Sequence, residues 1–377
     1  MIARTSLTLI ATFSALTACT GGTPVAGNYK IESVIGGLDH PWGVAWLPDQ
    51  TPLITLRGGS LIRLVNGRKV EVEMEGLPPV FASGQGGLMD IVLHPKFKEK
   101  PWVYMTVATG KGSANRTVLV RGVWKNGKVE GIKQIFRVSH DKNGAQHFGS
   151  RLLFLPDGSL LMSTGDGGNP PIQAGGELSR HKAQKPSSHI GKVLRLKEDG
   201  TGWGSPVFTK KPGGLPEIWT VGHRNIQGMA IDRVTGKVYA TEHGARGGDE
   251  LNLIVGGKNY GWHLATFSRE YVGPKISDHT SLPGMEDPIT QWTPCLAPSG
   301  LCVYRGTAFK EWQGQLFAGA LVFQEVRRIR LDASGKVAEQ ETIKIGQRVR
   351  DVREGPDGFL YVLTDESNGQ LLKIRPN

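Results

Sequence analysis

The sequence predicts an all-β protein, a six-bladed β-propeller, and three observations support that expectation. A unit made of an apolar run, a turn rich in Pro, Asp and Gly, and a second apolar run recurs six times. The 377 residues include 52 glycines and 22 prolines, so turns are expected to be frequent and helices few. No domain linker interrupts the series, and closing such hairpins into a ring removes the exposed edges that an open sheet would present.

In chain order the units are "PWGVAWLPDQTPLITLRGGSLIRLV", "GGLMDIVLHPKFKEKPWVYMTVATG", "FGSRLLFLPDGSLLMSTGDGG", "QGMAIDRVTGKVYATEHG", "SGLCVYRGTAFKEWQGQLFAGAL" and "VRDVREGPDGFLYVLTD". Each reads as a β-hairpin, because proline presets φ and glycine takes the positive-φ position of the turn between β-rich runs. The segment "NYKIESVIGGL" is expected to complete the last blade, since pairing first and last segments closes the ring. The propeller then spans residues 28–377. Two stretches, "QAGGELSRHKAQKPSSHIGKVLRL" and residues 263–294, read as long loop insertions, which in compact folds are usually functional.

The leading stretch "MIARTSLTLIATFSALTACTGG" has Arg4 near its start, an apolar run and then small residues, the pattern of an export signal over residues 1–18. Its "LTAC" resembles the bacterial lipobox, which implies cleavage before Cys19 and a lipid on its thiol; an ordinary secretory signal is the alternative. Either way a periplasmic protein is expected, attached to a membrane only through a lipid on Cys19. No later apolar stretch approaches the roughly 20 residues a membrane helix needs. In an oxidising compartment a local Cys295–Cys302 disulfide is expected, with two reduced thiols as the alternative. The formal charge of +11 is dispersed, without a Lys/Arg block, which points to anionic ligands and away from a nucleic-acid groove.

In a propeller, residues just before each inner strand crowd around one end of the central channel. Gln85, His147, Arg224 with Asn225, and Arg348 with Arg350 all precede such runs and are expected to converge. Arg348 and Arg350 alternate around Val349, so both guanidinium groups share one face of the strand while Val349 enters the core.

The segments "QGGLMDIVLHP", "HFGSRLLFLPDGSLLMSTGDGG", "HIGKVLRL", "EIWTVGHRNIQGMA", "EHGARGGDELNLI", "KNYGW" and "GQRVRDVREGPDGFLYVLTDE" resemble, in order and over nearly the whole chain, the soluble quinoprotein sugar dehydrogenases, nearest their aldose sugar dehydrogenase branch. The resemblance implies pyrroloquinoline quinone (PQQ) and calcium as cofactors, an aldose as substrate and an external electron acceptor. It implies that His147 is the catalytic base, a role suited to an imidazole with a pKa near 6.5, and that Arg224 stabilises charge developing on the quinone. It further implies cofactor contacts from Gln85, Arg224, Asn225, Tyr271, Arg348, Val349, Arg350 and the Ala320–Leu321–Val322 loop. Arginine forks suit the carboxylates of the quinone.

The same resemblance gives the Gly244 and Ala245 carbonyls to the calcium beside the quinone, and Glu250 with the Tyr260 carbonyl to a second, structural ion. Two departures from the family pattern stand out. Val322 replaces a lysine that usually meets the cofactor, so a cationic contact is expected to be either missing or supplied by a neighbour, Arg327 or Arg328. Ala245 stands where proline is common, a change a backbone ligand tolerates. The competing classes are a calcium-dependent lactone hydrolase, which would show several carboxylates at the metal, and a non-catalytic propeller that binds an envelope partner. Sugar preference, the identity of the acceptor, and the choice between monomer and homodimer are left open by the sequence.

Overall fold

Each hairpin is set by local turn chemistry. In "LPDGS", Asp157 accepts from the Ser159 amide at 2.9 Å and from its hydroxyl at 2.6 Å. Gly158 adopts a φ of 85°, and the Leu155 amide closes the reversal on the Ser159 carbonyl at 2.8 Å. Asp49 and Asp332 make the same amide contact two residues on, to Thr51 and Ser334.

The computed structural model describes residues 23–24, 29–168 and 172–377; the expected signal over residues 1–18 and Cys19 lie outside the described residues. Among them, six four-stranded antiparallel blades follow one another in sequence. Blade one is Pro41–Trp46, Pro52–Leu56, Leu61–Val65 and Arg68–Val72; blade two is Leu88–Leu93, Trp102–Lys111, Ala114–Lys125 and Lys128–Arg137. Blade three is Leu152–Phe154, Leu160–Thr164, Lys192–Leu196 and Ile218–Val221; blade four is Ile226–Ile231, Val238–Glu242, Asp249–Ile254 and Thr290–Trp292. Blade five is Pro298–Val303, Leu316–Ala320, Glu325–Leu331 and Val337–Lys344, with Thr23–Pro24 added in parallel at its outer edge. Blade six is Val349–Glu354, Leu360–Thr364 and Gly369–Pro376, completed by Tyr29–Leu38 in the register Tyr29↔Pro376. The first segment therefore closes the ring, as expected.

Neighbouring blades stack through apolar faces: Leu161 and Val193 of blade three pack with Ile226, Met229 and Ala240 of blade four, all buried. The channel itself is plugged by charge. Arg151 Nη1 lies 3.1 Å from Asp90 and 3.0 Å from Asp351, and Arg353 reaches both carboxylates at 2.9 Å. These four groups come from blades two, three and six. They are tolerated at a buried position because each is paired and hydrogen-bonded.

The expected disulfide does not form; both cysteines are free. Cys302 lies within the inner strand Pro298–Val303 and is sealed in the core, whereas Cys295 precedes the strand and donates to the Ala245 carbonyl at 3.2 Å. An extended strand rises about 3.3 Å per residue, which carries the pair past the roughly 7 Å Cα separation a disulfide tolerates.

The insertion between the second and third strands of blade three contains the short pair Gln173–Ala174 and Glu177–Leu178 and the 3-10 turn Ser179–Gln184. The buried Lys192 pins it, donating to the carbonyls of Lys182 (2.7 Å), Ala183 (2.9 Å) and Ile190 (2.6 Å).

Candidate active site

Because successive strands alternate in direction, the loops entering the inner strands and the loops joining second to third strands open at the same end of the channel. His147 enters blade three there, nearly buried and with a positive φ of 49°, a conformation uncommon for a residue with a side chain. Its amide donates to Gln85 Oε1 at 2.8 Å, which fixes the backbone from the blade-two entry loop.

The ring is fixed from the other side. His147 Nδ1 lies 2.6 Å from Asp166 Oδ1, and Trp262 Nε1 donates to Asp166 Oδ2 at 2.8 Å. Burial opposes charge on Asp166, but His147, Arg224 and the Trp262 indole hold its carboxyl below the usual range. Burial, followed by Arg224, pushes the His147 pKa down, so the ring stays neutral with its proton on Nδ1 and Nε2 open as a base. Asp166, from the glycine-rich "STGDGG" loop, therefore stands behind the histidine.

A hydrogen-bonded chain links the remaining predicted positions. Arg350 Nη2 pairs with Asp365 at 2.5 Å and Nη1 donates to Gln227 Oε1 at 3.0 Å; Gln227 donates to Asn225 Oδ1 at 3.2 Å, which accepts from the Gly149 amide at 3.1 Å. Arg348 reaches the same Asp365 at 3.8 Å, so the two arginines share a face, while Val349 is fully buried in the core. Burial opposes ionisation of Asp365, but Arg350, Arg57 and Arg348 hold it below the usual carboxylate range. Arg57, from blade one, is a member of this cation set that the sequence reading missed, because nothing in "TLRGGS" distinguishes it from a solvated turn.

Three atoms in this ring of residues are buried without a hydrogen-bond partner among the described residues: Arg224 Nη2, Asn225 Nδ2 and Arg350 Nε. All three are donors. Arg224 is otherwise engaged, its amide donating to Glu242 at 2.8 Å and its Nη1 to the carbonyls of His243, at 3.0 Å, and Gly244.

In the loop after Glu242, the Gly244 amide donates to Asp249 at 2.8 Å and the Ala245 amide to Ser268 at 3.1 Å. Glu250 sits directly across from Glu242 in adjacent strands; burial, then Glu242, pushes its pKa well up. A cavity of about 10 Å³ between Arg224, Glu242, Gly244, Glu250, Tyr260 and Ser268 has room for one water-sized sphere. No cluster of three His, Cys, Asp or Glu side chains that would hold a metal occurs among the described residues. Any cation here would depend on backbone oxygens as well as Glu250.

Other predicted positions lie apart. Tyr271 is 55% exposed, and its hydroxyl has no hydrogen-bond partner among the described residues. Val322 is 56% exposed; Ala320 and Leu321 beside it are buried, and the Leu321 carbonyl accepts from Arg348 at 3.5 Å. Neither arginine expected to replace the missing lysine is free to do so. Arg327 is buried against Glu325 at 2.5 Å, and Arg328 pairs with Glu341 at 2.5 Å over the Trp312 ring. Both lie in the third strand of blade five, whose ladder directs them to carboxylates of their own blade.

A propeller with a histidine–carboxylate pair, a ring of arginines and a carbonyl-rich loop at one end of its channel defines an oxidoreductase of the sugar dehydrogenase type. The chain belongs to the Glucose / Sorbosone dehydrogenase family, whose profile matches residues 38–373. It is 39% identical to the aldose sugar dehydrogenase of Escherichia coli over 92% of this chain and 93% of that protein. The crystal structure of the soluble E. coli enzyme in its apo form matches with a TM-score of 0.85 at 38% identity, covering 93% of this chain and 100% of the other. The PQQ-bound aldose sugar dehydrogenase of Streptomyces coelicolor matches with a TM-score of 0.73 at 28% identity, over 94% of this chain and all of that one.

Proposed function

We propose that the protein oxidises aldoses at C1 to the lactone, using PQQ and calcium and passing the electrons to an external acceptor. The observation that carries this reading is the set of orphaned donors on Arg224, Asn225 and Arg350 within one arginine-lined mouth. Buried donors without partners are rare in native proteins, and a flat, anionic o-quinone is chemically suited to these three. The Streptomyces neighbour, which binds PQQ, lends support. Calcium fits the donor set too: glycine-rich carbonyls at Gly244 and Ala245, and opposed carboxylates at Glu242 and Glu250 whose repulsion a cation relieves.

When bound, the quinone supplies a hydride acceptor and calcium polarises it. His147 Nε2 takes the proton of the C1 hydroxyl, and Asp166 steadies the imidazolium through Nδ1. Arg224, Asn225, Arg348 and Arg350 would hold the quinone, with Gln85 keeping the His147 backbone in register. Asp166 in turn is oriented by Trp262, which ties the base to the blade-four insertion.

The test is reconstitution of purified apoprotein with PQQ and calcium, with glucose and other aldoses as substrates and an artificial dye as acceptor. Dye reduction that requires both cofactors and the sugar supports the proposal. Lactone hydrolysis with calcium alone, or neither activity, overturns it. We also propose a periplasmic location with a lipid on Cys19, from the leading segment; lipid labelling that persists in Cys19→Ala refutes the anchor.

A further inference from the structure

Where the blade-four insertion meets the loop after Glu242, three cations stand in a row. Arg246 and Arg269 lie opposite one another and exchange both backbone hydrogen bonds, at 3.0 and 3.4 Å, and Arg269 lies opposite Lys275 in a second antiparallel bridge. Residues so paired project their side chains to the same face, with Cα atoms about 4.5–5.5 Å apart. All three side chains are exposed, and none makes a hydrogen bond, ion pair or ring contact among the described residues. The Glu270 amide donates to the Pro274 carbonyl at 3.1 Å, which closes a hairpin whose tip carries Tyr271 and Val272, 55% and 94% exposed. The one carboxylate of residues 266–277, Glu270, is drawn away to Arg180 at 2.7 Å.

Like charges directly opposite one another in a ladder repel, and an anionic partner relieves that repulsion. The row is braced on the loop that borders the cofactor mouth. Arg246 follows Ala245, and Gly244 before it accepts from Arg224 Nη1. Arg269 follows Ser268, whose hydroxyl accepts from the Ala245 amide at 3.1 Å and donates to the Gly247 carbonyl at 2.9 Å. Arginine beside exposed tyrosine and aliphatic side chains is the composition of a protein interface. One hairpin offers a small area, on the scale of redox encounters that bury less than about 1,200 Å². Its place beside the mouth, where electrons must leave, favours a redox protein over a bilayer.

We propose that Arg246, Arg269, Lys275 and the Tyr271–Val272 tip form the docking surface for an acidic one-electron carrier protein that reoxidises the enzyme. The inference rests on the sugar dehydrogenase reading and names the chemistry of its external acceptor. Each aldose oxidised to the lactone gives up two electrons and two protons. Two oxidised carriers take the electrons in succession, each being reduced by one, and the protons pass to water.

The test uses the full chain reconstituted with PQQ and calcium at saturating glucose. The acceptors are ferric cytochrome c, which is basic, and its succinylated, acidic form, so one fold is presented with opposite charge. Arg269→Glu/Lys275→Glu reverses two cations of the row and leaves Arg246, which follows Ala245, in place. Lys237→Glu/Lys336→Glu makes the same change in net charge in turns at the opposite end of the propeller. At low ionic strength wild type is expected to reduce the acidic form about tenfold faster than the basic form, with the difference shrinking as salt is raised. The row variant loses that preference and the control keeps it, while reduction of an uncharged dye and the Tm are the same in all three proteins. A faster reaction with the basic form, a preference that salt does not change, or equal loss in both variants overturns the inference. Binding of wild type to phosphatidylglycerol vesicles that the row variant loses, with equal rates for the two carriers, also overturns it and gives the surface to a membrane. Wild type without aldose-dependent dye reduction overturns the functional reading and this inference with it, whereas normal dye reduction without a carrier preference overturns the inference alone.

Discussion

Asp166→Asn separates a catalytic role for the buried histidine from a structural one. Three donors converge on the two Asp166 oxygens: His147 Nδ1 at 2.6 Å and the Gly168 amide at 3.1 Å on Oδ1, and Trp262 Nε1 at 2.8 Å on Oδ2. Asparagine offers one acceptor oxygen, so its amide nitrogen must occupy one of the two places. At Oδ2 it would oppose the indole N–H, which has no alternative, and leave a buried donor unpaired at about 1–3 kcal/mol. At Oδ1 it opposes only the longer Gly168 contact, because the imidazole can adapt by accepting at Nδ1. The second arrangement is preferred, and it moves the ring proton to Nε2, where the base is needed. General base catalysis is worth about 10²–10⁴-fold, so kcat is expected to fall by that order while PQQ still binds. Removing the carboxylate also removes what favours the charged ring, so the acid limb of any residual activity shifts to lower pH: the base works above its pKa, and that pKa falls. Dye-reduction kinetics as a function of pH, with absorbance titration of PQQ, measure both effects. An Asp166→Asn protein with wild-type kcat and an unmoved acid limb would refute the reasoning.

Chelation of calcium with EGTA is expected to abolish dye reduction and lower the Tm, by about 2.7 kcal/mol of stability if calcium was at a hundred times its Kd; differential scanning calorimetry with calcium restored checks the reversal. Val322→Lys places a cation on an exposed position next to the Leu321 carbonyl that Arg348 contacts, and is expected to tighten PQQ binding about tenfold in a titration. No change there would mean that Arg57 and Arg348 already saturate the anionic edge. Arg151→Met leaves Asp90 and Asp351 facing each other with only Arg353 between them, and should cost about 3–5 kcal/mol in urea unfolding.

The architecture was legible because its signal is local and repeated. Pro-Asp-Gly turns such as "LPDGS" fix hairpins within a few residues, and six of them in series leave few folds other than a ring. Convergence of Gln85, His147, Arg224, Asn225 and Arg350 followed from topology, since each precedes an inner strand. What was not legible depends on distance in sequence. Asp166 sits 19 positions after His147 in a glycine-rich loop that reads as a turn, and Trp262 comes to it from the next blade. The Arg151–Asp90–Asp351–Arg353 plug unites three blades with no pattern in any one segment. The Val322 replacement was visible; of the two outcomes it left open, compensation by Arg327 or Arg328 is not seen, because neighbours in sequence along a strand find partners across the ladder rather than at its end.

The distribution of unsatisfied atoms argues for function independently of any resemblance. Where the channel needs only to be closed, the four charges of the plug pair with one another at 2.9–3.1 Å and one donor, Arg151 Nη2, is left without a partner among the described residues. At the mouth, three buried side chains are left with Arg224 Nη2, Asn225 Nδ2 and Arg350 Nε open. Open donors thus concentrate on three side chains at the mouth against one in the plug, and the mouth is where an anionic ligand that the chain does not itself provide would meet them.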